Sequence, residues 1–126
     1  MATELLPLNK FRLVTKKLVS GSFENVYEVP ETATGVVLSC QISNNTNEEQ
    51  SVNVKTERGP SGSQVLDGEV AEGAEFTLVS EGIIPPNDVF NPLTGRLILE
   101  ETDSILINGS SNEIEINLSV LETANE

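Results

Sequence analysis

The chain has no histidine, no tryptophan, one tyrosine, one methionine and a single cysteine. Each scarcity removes a class of function. Without histidine there is no side chain that ordinarily changes charge near neutral pH, and no Ser-His-Asp or Cys-His pair. A lone Cys40 forms no internal disulfide and supplies no paired thiolates for a structural zinc site. Small secreted domains more often carry cysteine pairs, so the thiol usage suits a reducing cytoplasm. Few aromatics, scarcely accompanied by basic residues, offer no stacking platform for single-stranded nucleic acid. Glycine-rich strand-to-helix loops that cradle phosphate are also missing. No run reaches the ~18 apolar residues of a membrane helix. In "MATELLPLNKFRLVTKK" the lysines follow the leucines and no small-residue cleavage site appears, so a signal peptide is not expected. The sequons beginning at Asn44, Asn108 and Asn117 therefore carry little weight.

Positive charge is scarce too. Seven basic residues stand against twenty acidic ones, for a net of −13. Residues 1–62 hold six basic and seven acidic residues, and residues 63–126 hold one and thirteen. Such a surface repels phosphate, which argues against nucleic acid and anionic membranes as partners. The first twenty residues are the exception: Lys10, Arg12, Lys16 and Lys17 face only Glu4. That asymmetry could orient copies head to tail or seat the start of the chain on an acidic neighbour.

What the sequence has is alternation. "EIEINLSVLE" places Ile114, Ile116, Leu118 and Val120 on one face and Glu113, Glu115, Asn117 and Ser119 on the other, the period of a half-buried strand. "GVVLSCQIS" reads the same way, with Val36, Leu38, Cys40 and Ile42 together, so Cys40 is expected to be an inert core thiol. "SVNVKTER" follows after the polar "NNTNEEQ", predicting a hairpin. Weaker strand candidates are "FRLVTKKLV", "ENVYEV" ending at Pro30, "SQVLDGEV", and "AEFTLV" with Phe76 and Leu78 on one face. No stretch of about twelve residues holds a helical period. About eight short strands with frequent turns predict an all-β chain, an antiparallel β-sandwich of jelly-roll-like or immunoglobulin-like form. One domain is expected over 1–126 at this length.

Two segments invite a functional reading. In "LTGRLILEETDSILI", Glu100, Glu101 and Asp103 crowd one bend. A glycosidase needs carboxylates facing across a cleft, and a calcium loop needs spaced ligands and a glycine. Neighbouring acids between two strand-like runs predict a solvated hairpin turn instead. No catalytic, cofactor-binding or metal-ligating residues are assigned. The second segment, "EGIIPPNDVFNPL", is too apolar for a free loop. Ile83, Ile84 and Phe90 are expected either to pack on the domain's own core or to contact another subunit. Leu5, Leu6, Leu8 and Phe11 likewise form either an arm over 1–11 that clamps a neighbour or the first strand of the domain's own sheet. Tyr27 is expected at the rim of the sandwich.

"LLPLNKF", "VYEVPETATGVVLSCQISNNT", "PPNDVFNPLTGRLILEETDSI" and "LSVLETAN", in that order, resemble small β-sandwich virion structural proteins of tailed bacteriophages. The likeness is greatest to those of contractile-tailed marine cyanophages, and it spans nearly the whole chain. Those proteins often carry a Gly-Asp turn after the "LVLE" strand; here Glu101-Thr102-Asp103 stands in that place, leaving the turn type open. The resemblance implies a non-enzymatic component of the virion, made in the host cytoplasm. Its expected role is capsid decoration or cement, with neck, tail or baseplate accessory protein as the alternative. A surface carbohydrate-binding or adhesion module is a further alternative, disfavoured by the lack of aromatic platforms. The partners it implies are other virion proteins, major capsid or neck and tail, and further copies in a homo-oligomer. No cofactor is implied.

Overall fold

The computed structural model describes residues 9–19, 21–59 and 73–124, and these contain nine β-strands and no helix. In chain order they are β1 (Asn9–Lys17), β2 (Glu24–Glu28), β3 (Ala33–Asn44), β4 (Gln50–Glu57), β5 (Glu75–Ile84), β6 (Val89–Phe90), β7 (Leu97–Leu99), β8 (Ser104–Gly109) and β9 (Ile114–Ala124). The candidate strand "SQVLDGEV" lies outside the described residues. Sheet A runs β1-β9-β3, with β6 and β7 sharing the far edge of β3; sheet B runs β2-β8-β4-β5. Every pairing is antiparallel. The molecule is an antiparallel β-sandwich.

Its topology follows from which strands meet. β4 pairs β5, β3 pairs β6 and β7, β2 pairs β8, and β1 pairs β9, as though the chain were one long hairpin. Rolling that ribbon lays β9 beside β3 and β8 beside β4. That arrangement is a jelly roll. Its consequence is that nearly every connection crosses between sheets. "NNTNEEQ" was expected to close a hairpin, but β3 lies in sheet A and β4 in sheet B. The crossing is organised by Asn44, buried at the end of β3. Its Nδ2 donates to the carbonyls of Glu48 (2.8 Å) and Ile84 (3.1 Å), and its Oδ1 accepts from the Thr46 amide at 2.9 Å. A buried amide that satisfies three backbone groups fixes the bend.

The core lies between the sheets. β9 contributes Ile114, Ile116, Leu118 and Val120, all essentially inaccessible, as its alternation predicts. Val52 and Val54 of β4, Ile105 and Ile107 of β8, and Ile84 face them from sheet B. Burial of each such aliphatic side chain contributes roughly 1.5–3 kcal/mol. Strand β3 departs from the expected alternation. The ladder pairs Val37 with Val120 but Ser39 with Ser119, leaving Leu38 as the extra residue of a β-bulge. The bulge changes parity, so Val37, Cys40 and Ile42 point inward while Val36 stays partly exposed. Val36 and Leu38 therefore do not share a face with Cys40 and Ile42. In β5 a register shift likewise falls at Leu78, between Thr77 and Val79, breaking the face that Phe76 and Leu78 were expected to share.

Candidate interaction surface

The outward positions of sheet A can be read row by row from its register. Asn9, Thr123 and Thr34 lie side by side, and the next row is Phe11, Leu121, Val36 and Ile98. Then come Leu13, Ser119 and Ser39, followed by Thr15, Asn117 and Gln41, and last Lys17, Glu115, Ser43 and Val89. Cross-strand neighbours of this kind have Cβ atoms ~5 Å apart, so each row is a continuous strip of contacts. The second row is apolar from edge to edge. Phe11 is 74% exposed at one end and Ile98 68% exposed at the other. Leu13 and the bulged Leu38 lie beside it, bordering a shallow depression with Phe11 and Ser119.

Among the described residues, charge is almost absent from this face. The only ionisable side chains in these rows are Lys17 and Glu115, at one end, 3.7 Å apart and already paired. The remaining polar groups are Ser, Thr, Asn and Gln. Placed by chance, a chain with twenty acids would put several here. The outer face of sheet B has a different character: Glu28, Ser104, Glu57 and Glu75 stand in one row across it. There Lys55 pairs with Glu75 at 2.8 Å and lies 3.9 Å from the Phe23 ring centroid. One side of the sandwich carries a row of acids, and the other a single Lys17–Glu115 pair at its end. Depletion of charge around exposed aromatic and aliphatic groups is what the centre of a protein interface looks like.

The residues expected to contact another subunit divide. Phe11 lies on the uncharged face, but within β1, which is hydrogen-bonded along β9; residues 9–11 are thus strand rather than arm. Leu5, Leu6 and Leu8 lie outside the described residues. Ile84 is completely buried, so it is a core residue and not a contact residue. Phe90 packs partly against the core, as does Leu93. Ile83 is half exposed. The apolar side chains of "EGIIPPNDVFNPL" thus divide, with Ile84, Phe90 and Leu93 on their own core and Ile83 and Val89 half exposed. Residues not singled out from the sequence, Leu13, Val36, Leu38, Ile98 and Leu121, complete the apolar strip. Their signal is visible only once register is known.

The carboxylate bend is not a hairpin and is not fully solvated. β7 pairs β3 in sheet A and β8 pairs β2 and β4 in sheet B, so Glu100 to Asp103 form a corner between sheets. Asp103 is 3% exposed. Its Oδ1 accepts from Arg58 Nε at 3.2 Å and from the Gly59 amide at 3.0 Å, and its Oδ2 accepts from the Glu100 amide at 2.9 Å. Arg58 also reaches Glu100 at 2.9 Å. Thr102 takes φ +64, the left-handed conformation that a glycine would accept more readily. The acid serves as a structural clamp, and no opposed carboxylate pair emerges from it.

A second buried acid ends the core. Glu122 accepts from the Tyr27 hydroxyl at 2.5 Å and pairs with Arg12 at 3.1 Å. Tyr27 is 5% exposed, an interior residue and not a rim residue. Burial, then the hydrogen bond to Glu122 and its negative charge, raise the Tyr27 pKa well above its ordinary value. Burial alone pushes the Cys40 thiol up to about 12, which makes it a poor nucleophile. Among the described residues, no three His, Cys, Asp or Glu side chains are grouped to hold a metal ion. None of the described segments is a helix long and apolar enough to cross a membrane.

No protein-family model, curated protein or solved structure matches the chain.

Proposed function

We propose that this protein is a non-enzymatic structural component of a virion, and that it works by packing against other protein subunits. Its role on this reading is decoration or cementing of a phage capsid, after assembly in the host cytoplasm. The observation that carries it is the uncharged outer face of sheet A on a chain of net charge −13. A wide sheet with an apolar row across it, its charge confined to the Lys17–Glu115 pair at one end, suits adhesion by shape and buried area. The jelly-roll order agrees, since this architecture is one that capsid proteins use. So does the resemblance of the four ordered segments to phage virion proteins. The one tyrosine is consumed in the core, which removes it as a platform for sugar rings.

Quantitative mass spectrometry of purified particles tests the reading. A copy number that scales with the coat subunits is expected. A single ring's worth of copies would move the protein to the neck or tail, and its absence from particles would refute the proposal.

A further inference from the structure

We infer that the uncharged face of sheet A is covered by the same face of a second copy, so that the unit added to the particle is a two-fold dimer. This rests on the reading of that face as an assembly surface, and it names the occupant.

Charge selects the partner. Away from this face the protein is strongly acidic, so two copies repel over most relative orientations. They approach at least cost where acids are fewest, and among the described residues this face carries one, Glu115, beside Lys17. The face offers a foreign partner almost nothing to recognise by charge, because its only ion pair, Lys17 with Glu115, is closed upon itself. Interfaces between unlike proteins usually set register by opposed charges. A face with so little charge to oppose is matched best by another as sparsely charged, and a second copy brings one.

Size agrees. Nine residues of β1, eleven of β9, twelve of β3 and five of β6 and β7 together, each taking ~3.4 by ~4.8 Å, give a face of about 600 Å². Specific interfaces bury about 600–1,000 Å² on each partner. Shape agrees as well: two sheets stacked face to face pack ~10 Å apart, the same arrangement as the inside of this sandwich. Around a two-fold axis every contact is made twice, so the Phe11, Leu121, Val36 and Ile98 strip of each copy is covered by its counterpart.

The test is sedimentation equilibrium of the full chain, with Ile98→Glu and Phe11→Glu as variants. Both side chains are mostly exposed, so both variants should keep the wild-type circular dichroism, and its urea midpoint at concentrations low enough for wild type to be dissociated. Wild type is expected to dimerise. Each glutamate enters the interface twice, once from each copy, and should weaken dimerisation roughly a hundredfold or more. A wild-type protein that stays monomeric at high micromolar concentration overturns the inference. So does a dimer that both variants leave intact. Binding of the same variants to particles lacking the protein separates the two ideas. If wild type is monomeric, yet binds particles and Ile98→Glu does not, the face serves a different subunit and only the dimer falls. If particle binding survives both substitutions, the assembly reading of this face falls as well.

Discussion

Replacing Asp103 with alanine probes the corner where the chain passes from sheet A to sheet B. Three donors converge on this carboxylate, from Arg58, from the Gly59 amide and from the Glu100 amide. The Gly59 amide is buried, and an amide left there without its acceptor costs about 1–3 kcal/mol. The other two donors are partly accessible and recover water, so about 0.5–1 kcal/mol each is a fair loss. The Asp103→Ala protein should therefore be less stable by about 2–5 kcal/mol. Asp103→Asn keeps the shape and one acceptor oxygen and should lose about 1–2 kcal/mol. Glu100→Gln is the contrast within the same turn. Its ion pair with Arg58 joins side chains 44% and 24% exposed, and such pairs contribute about 0–1 kcal/mol. Urea unfolding near neutral pH, followed by circular dichroism at constant m-value, measures all three. A loss below about 1 kcal/mol for Asp103→Ala, or one no larger than that of Glu100→Gln, would refute the clamp.

Thr102→Gly in the same corner relieves a left-handed threonine that costs ~1–2 kcal/mol but loses a buried side chain whose hydroxyl donates to the Glu101 carbonyl, so the net change should stay within about 1 kcal/mol of zero; a loss above about 2 kcal/mol would contradict it. Gly59→Ala should be strongly destabilising, because an added Cβ would overlap the Thr102 carbonyl oxygen, which as backbone does not easily give way; unchanged thermal unfolding would show that the corner yields. Alkali should also weaken the fold. The Cys40 thiol is raised from 9.0 to about 12, so its contribution is complete below pH 9 and is lost as pH rises toward 12. The slope is about 1.4 kcal/mol per pH unit. Tyr27 adds a second loss that begins above pH 10.0, its value when unburied. Between pH 9 and 10 the difference in slope between wild type and Cys40→Ala isolates the thiol, and equal slopes would mean that it is not buried in solution.

Strand content and the inward face of β9 were legible because alternation is a local property, written in "EIEINLSVLE" without reference to anything else. Sheet membership was not. A polar turn between two strands looks the same whether it closes a hairpin or carries the chain across the sandwich. What decides the matter at "NNTNEEQ" is Asn44, whose partner Ile84 lies forty positions away. Asp103 was misread for the same reason: its charge partner Arg58 is forty-five positions distant, and only the fold brings them together. The bulge at Leu38 defeated the parity of β3, since a single extra residue exchanges the two faces of everything beyond it. The uncharged face was hidden in turn, because its rows draw on strands whose order in the sheet no periodicity reveals.

The central place of β9 in sheet A has a consequence for how the protein is made. The ribosome delivers β1 early, yet the strand that receives it, β9, emerges after every other described strand. β3 waits for the same neighbour along most of its length. A nascent chain stopped before Ile114 holds both as raw edges, with half of the future interior open to water and to other nascent chains. Closure of the sandwich is therefore a late event in synthesis. Messages truncated upstream of β9 should yield material for proteases and chaperones rather than a smaller working protein.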